Sequence, residues 1–362
     1  MLRFAGCRGL RPGWRIWTRG RRTERVPGAQ PSPPRPRPQP PGSGPGTLSA
    51  AGLAFLPAAR LFPQDEKEQR DPEDDIVLLI KQAKLSAMRG KLEDADHLLH
   101  QALKLAHQSH NNQAITYTYV QMANLAFLRG DLHNAEKLFK AAMSQLLGSG
   151  TRQDDNAVIE MSLKLCSIYA STERHGLAVE GYKWCIETLE EKVQSQKAVP
   201  EESLSAAEKE NTRLLLGMSL DSCARYMMSR KQLELAESLY EKALAISQQV
   251  QGETHPQTVV LMNDLATVLD MKGHHERAYD YVRRASNLAR DTSHPDECVI
   301  LYNLARVLMH RGNYSEAKQV YEEALKQAEA KADKPVIERI REGMEELEVK
   351  TLQFRVLGET NH

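Results

Sequence analysis

Eighteen small side chains in a fixed register constrain this chain more than any other feature. Taking one alanine per unit, Ala95, Ala135, Ala178, Ala236, Ala278 and Ala317, the spacings are 40, 43, 58, 42 and 39 residues. Twelve residues before each stands a second small residue, Ala83, Ala123, Cys166, Ala224, Ala266 and Ala305, and seven after stands a third, Ala102, Ala142, Cys185, Ala243, Ala285 and Ala324. Two antiparallel helices approach closely only where their crossing points carry small side chains, and large ones fill the gaps between. Leu99, Phe139, Tyr182, Tyr240, Val282 and Tyr321, three residues before each third position, are those fillers. Glycine stands at the hairpin turn in four units, at Gly90, Gly130, Gly273 and Gly312, where it can take the left-handed conformation that ends a helix. Glu173 and Lys231 hold that place in units three and four, so those two turns are expected to close differently.

The pattern predicts an all-α fold, a right-handed α-solenoid of six helical hairpins over residues 76–349 behind a disordered leader. The repeats run at about 76–110, 114–148, 157–192, 212–250, 256–290 and 295–330, followed by a capping helix and a tail at 350–362. The spacing of 58 carries about 17 extra residues, placed near Glu190 to Asn211 as a projecting loop or a helix extension. Residues 1–63 have a different chemistry: eleven Arg, no Lys and one acid, Glu24, with 12 of the 17 prolines. Arginine interleaved with Leu2, Phe4, Leu10, Trp14, Ile16 and Trp17 is the composition of a mitochondrial transit peptide. The proline-rich stretch that follows cannot build a core. Leu48 to Phe62 is apolar but short for a membrane span, which favours an interfacial anchor or part of a removed presequence over a true span. Residues 64–75 form an acidic linker.

Small residues at the helix crossings, glycine at the turn, and a large then a small residue in the second helix together resemble the tetratricopeptide repeat. The longer unit, with His255-Pro256 and His294-Pro295 ahead of first helices, is similar to the repeats of kinesin light chains. Segments 114–150, 255–290 and 304–328 narrow the likeness to mitochondrial members of the tetratricopeptide repeat family. That resemblance implies association with the mitochondrial inner membrane and binding to respiratory complex III, in support of its assembly or integrity. It also implies a part in the turnover of fragments of the Rieske iron-sulfur subunit. The kinesin-light-chain likeness implies an alternative, a cytosolic cargo or signalling adaptor, against which the arginine leader argues.

Stacked hairpins form a superhelix whose concave wall is built by the first helix of each pair, a surface suited to an extended or helical peptide. Counting from the first small residue, the positions facing that groove are Lys84, Asn124, Ser167, Arg225, Thr267 and Arg306. Lys81, Gln121, Lys164, Asp264 and Asn303 join them, with Asp221, Asn263 and Tyr302 alongside. Of these, Asn124, Arg225, Asn263, Asp264, Tyr302, Asn303 and Arg306 are the candidate protein-binding residues, since Asn and Arg can grip a peptide backbone or a carboxylate. The lysine and asparagine set with which some family members hold chaperone tails is not matched, because Ile80 and Val120 replace its charged position.

Beyond residue 63 the chain holds 37 basic and 47 acidic residues, a balance that excludes the basic surface nucleic-acid binding needs. No phosphate loop, nucleophile elbow, HExxH or zinc-finger spacing is present, so neither an enzyme, a cofactor, a metal nor a small-molecule substrate is expected. His97 and His100, like His107 and His110, lie three apart on one helix and read as exposed; His274 and His275 belong to a turn. The five cysteines are single and unpaired in pattern, which fits reduced thiols, three of them at packing positions.

Overall fold

The computed structural model describes residues 71–199 and 204–359, and the leader, Cys7 and the apolar segment Leu48 to Phe62 lie outside them. From Asp71 on, the end of the acidic stretch is a helix start. Asp71 accepts a hydrogen bond from the Glu73 amide, Pro72 takes the first helical position, and Glu73, Asp74 and Asp75 fill the first turn, where carboxylates favour the positive end of the helix dipole.

Thirteen helices and no strand follow among the described residues. Six hairpins pair α1 (Pro72–Met88) with α2 (Leu92–Gln108), α3 (Asn112–Arg129) with α4 (Leu132–Gly148), and α5 (Asn156–Ser171) with α6 (His175–Lys197). Then α7 (Ala206–Ser229) pairs with α8 (Leu233–Gln251), α9 (Pro256–Met271) with α10 (His275–Asp291), and α11 (Glu297–His310) with α12 (Tyr314–Ala330), before a single α13 (Lys334–Glu359). Each helix packs on the next in sequence, as a solenoid requires. The last helix runs on through 350–359, past the point where the sequence pattern ends it.

All eighteen register residues are buried, none more than 2 % exposed. Glycine extends the same logic at two further contacts. A Cβ on Gly181 of α6 would stand 2.4 Å from Cys166 Sγ, and one on Gly343 of α13 would stand 2.8 Å from the Tyr321 hydroxyl. Bare backbone at these points lets α6 reach α5 and lets α13 close over the last filler. Inserting three carbons at a crossing should therefore be costly: Ala266→Leu is expected to destabilise by about 1–3 kcal/mol, read as a lowered urea midpoint. An unchanged midpoint would contradict the register.

The six hairpin turns close alike, against the expectation for units three and four. Glu173 and Lys231 adopt the left-handed conformation, with φ of 59° and 61°, beside 78° to 81° at the four glycines. In each turn the following amide donates to the carbonyl five residues back: Arg174 to Tyr169 at 2.9 Å and Gln232 to Met227 at 3.0 Å match Asp131 to Ala126 at 3.0 Å. Satisfying a helix-end carbonyl outweighs the roughly 1–2 kcal/mol that a side chain costs in this conformation.

The extra residues between units three and four lengthen helices. α6 has 23 residues and α7 has 24, and Ser205 and Glu208 form a reciprocal capping box at the start of α7. The extension is tied back to the stack. Lys192 Nζ donates to the Asp154 carbonyl at 2.6 Å and to Asn156 Oδ1 at 2.9 Å. Gln196 Nε2 and Asn156 Nδ2 both donate to Thr212 Oγ1. The core is divided along the stack: one run of buried side chains extends from Ile159 to Leu347, while two smaller clusters serve α1 to α3 and α3 to α5.

Candidate functional site

The first helices of units three to six carry a chain of polar side chains along one wall. On α7 the Asp221 carboxylate accepts from Arg225 Nη2 at 2.5 Å, one helical turn on, and from Gln257 Nε2 of α9 at 3.5 Å. On α9 Asn263 Nδ2 donates to Asp264 Oδ1 at 3.3 Å, and Asn263 Oδ1 accepts from Asn303 Nδ2 of α11 at 2.9 Å. Arg225, Asn263, Asp264 and Asn303 are thus brought together across three units.

Burial sets the charge of this wall. Lys164 on α5 has little exposed surface, and loss of solvation pulls its ammonium down to about 8 despite Glu160 nearby. Asp264 is pushed up to about 6, chiefly by desolvation, with Arg225 pulling the other way and Asp221 adding to the rise. The unfolded carboxyl titrates near about 3.9, so between about pH 4 and pH 6 the folded chain holds a proton the unfolded chain lacks, and stability falls as pH rises through that window. Asp264→Asn should raise the melting temperature at about pH 7 and leave it nearly unchanged at about pH 4. An equal gain at both would assign the effect elsewhere.

Other candidate residues go different ways. Asn263 and Asn303, expected to face the groove, are 6 % and 9 % exposed, because their mutual bond spans the boundary between units and closes it. Tyr302 tilts against Tyr321, with ring centres 6.0 Å apart. Asn124 lies two units away, its Oδ1 buried and without a hydrogen-bond partner. Of the remaining wall positions, Lys84 Nζ donates to the Tyr117 hydroxyl at 2.6 Å, and the Ser167 and Thr267 hydroxyls donate to carbonyls of their own helices. Arg306 reaches Asp270, donating from Nε to Oδ2 at 3.1 Å while its Nη2 is buried without a partner.

Asp270 is the residue that sequence reading passed over. It sits one residue before the end of α9, with a side chain 1 % exposed. His275 Nδ1, from the first residue of α10, and His310 Nδ1, from the last of α11, lie 2.9 Å and 2.8 Å from the same Oδ1. Burial alone would raise this carboxyl, but His310, Arg306 and His275 together hold it below its ordinary value. Pairing a histidine at one helix start with a histidine at a helix end 35 residues on has no periodic signal. Only the stacking of unit six on unit five makes it.

The tetratricopeptide repeat family model matches residues 223–291, and a second tetratricopeptide repeat model matches 298–330. Tetratricopeptide repeat protein 19, mitochondrial, from Homo sapiens is 51% identical over 336 residues, covering 90% of this chain and 88% of its own length. The chain belongs to the tetratricopeptide repeat protein 19 family. The Mus musculus protein of the same name is 52% identical, over 84% of this chain and 83% of its own. A homolog of tetratricopeptide repeat protein 19 from Drosophila melanogaster is 22% identical over 68% of this chain and 65% of its own. Among solved structures, the apo form of RapI superposes with a TM-score of 0.57 at 14% identity, covering 80% of this chain and 77% of that one. BtubC from P. vanneervenii gives 0.51 at 20% identity, over 71% and 92%. These two show the solenoid fold alone. The tetratricopeptide repeat protein 19 relatives are named mitochondrial, which supports a mitochondrial tetratricopeptide repeat protein over the cytosolic adaptor. Among the described residues no helix is long and apolar enough to cross a membrane.

Proposed function

We propose that this chain is a non-enzymatic scaffold at the mitochondrial inner membrane that holds part of respiratory complex III against the wall formed by its first helices. Fragments of the Rieske iron-sulfur subunit are included among its ligands. The observation that carries the reading is the polar wall itself, from Asn124 through Arg225 and Asp264 to Arg306. It ends in buried polar atoms, Asn124 Oδ1 and Arg306 Nη2, that have no partner within the described chain. Buried polar atoms are costly when unpaired, and an arriving backbone amide or carboxylate can satisfy them. Membership of the family supplies the choice of partner.

The test is capture of detergent-solubilised complex III on the immobilised full chain. Asn124→Ala combined with Tyr302→Ala should weaken capture by about tenfold or more, the loss of two or so hydrogen bonds or aromatic contacts. Helicity and melting temperature serve as the folding control. No capture by the unsubstituted chain would refute the assignment to complex III, and equal capture by the double variant would move the contact off this wall.

A further inference from the structure

We propose that Asp270, His275 and His310 form a binding site for a divalent transition metal ion, zinc foremost, at the junction of units five and six. Three donors from three helices converge: Oδ1 of Asp270 on α9, Nδ1 of His275 on α10 and Nδ1 of His310 on α11. All three atoms lie within 4.8 Å of one another. Two imidazoles and one carboxylate are a zinc donor set, whereas calcium and magnesium take oxygen ligands. Zinc bonds of about 2.0–2.1 Å in tetrahedral array separate ligand atoms by about 3.3 Å. The observed Nδ1 to Oδ1 separations of 2.9 and 2.8 Å therefore need to open by roughly half an ångström.

The surroundings have the other parts of such a site. Arg306 Nε holds the second carboxylate oxygen at 3.1 Å, fixing its orientation as outer-shell partners do. The carboxylate is 1 % exposed, while His275 and His310 keep 33 % and 24 % of their side-chain surface. Ion entry and a fourth ligand, water or a carboxylate or imidazole of a bound protein, therefore come from the histidine side. On binding, each neutral imidazole places its proton on Nε2 and turns a bare Nδ1 to the ion. The ion then ties the end of α9 to the start of α10 and the end of α11, locking one unit to the next. This inference stands on different residues from the proposed binding wall, Arg306 excepted, and does not depend on that reading.

Calorimetric titration of the chelator-stripped full chain with zinc chloride should show one saturable site at neutral pH. Cobalt(II) in its place should give the intense visible bands of a tetrahedral nitrogen and oxygen set. His275→Gln and His310→Gln should each weaken binding by about 100-fold or more. His97→Gln with His100→Gln, on the exposed face of α2, should change nothing. Absent saturable zinc binding, or binding kept by the His275→Gln, His310→Gln double variant, means an adventitious ion only and overturns the site. If His310→Gln lowers helicity, the more exposed His275→Gln decides alone.

Discussion

Phe139→Ala should lower stability by about 3–5 kcal/mol, and the loss should stay in the first two units. Phe139 is fully buried in α4 and anchors the small cluster of Ala123, Ala126, Ala135, Ala142, Met161, Leu165 and Ile168 that joins α3 and α4 to α5. The fully buried partners on its own hairpin are all alanine, so the ring supplies most of the deeply buried apolar volume of that cluster. In a stack each unit touches only its neighbours, and stability is close to a sum of unit and interface contributions. The long core from Ile159 to Leu347 should be left intact. Urea unfolding followed by circular dichroism should thus split into two transitions, with amides of α1 to α4 losing exchange protection before those of α7 to α12. A single transition displaced as a whole would show that the stack unfolds as one unit.

Asp270→Ala should cost about 3 kcal/mol in metal-free buffer, at the low end for breaking a buried ion pair. The carboxylate accepts from Arg306, His275 and His310. Once it is removed, the two histidines, with a quarter to a third of their surface exposed, can turn to water. Arg306 is the residue that carries the penalty, because its Nη2 already lacks a partner and its Nε then lacks one too. Asp270→Asn keeps an acceptor and should cost less than the alanine. If Asp270→Ala shifts the unfolding free energy by less than about 0.5 kcal/mol, as a surface change does, the cluster contributes nothing to the junction of units five and six.

The architecture could be read without coordinates because its cause is local and repeated. A helix crossing tolerates only small side chains, so six hairpins print eighteen Ala or Cys residues into the chain at fixed offsets, and all eighteen are buried. The turns at Glu173 and Lys231 show where such reading falls short. Propensity names glycine for the left-handed position, but the carbonyl left open at Tyr169 or Met227 draws the next amide into the same bond whatever residue precedes it. The wall proposed to bind protein could be read as a set of positions but not as a set of contacts. Counting along a helix gives the face on which Asn263, Asn303 and Arg306 lie. It cannot tell that the first two bond to each other across a unit boundary while the third reaches Asp270.

The sequence alone determined the period, the hairpins and the small residues at their crossings, since these follow from helix geometry within one unit. The tertiary structure alone decided which polar groups meet between units. The meeting of Asp270 with His275 and His310 depends on the rotation and rise from one hairpin to the next, a sum of packing contacts that no single segment encodes.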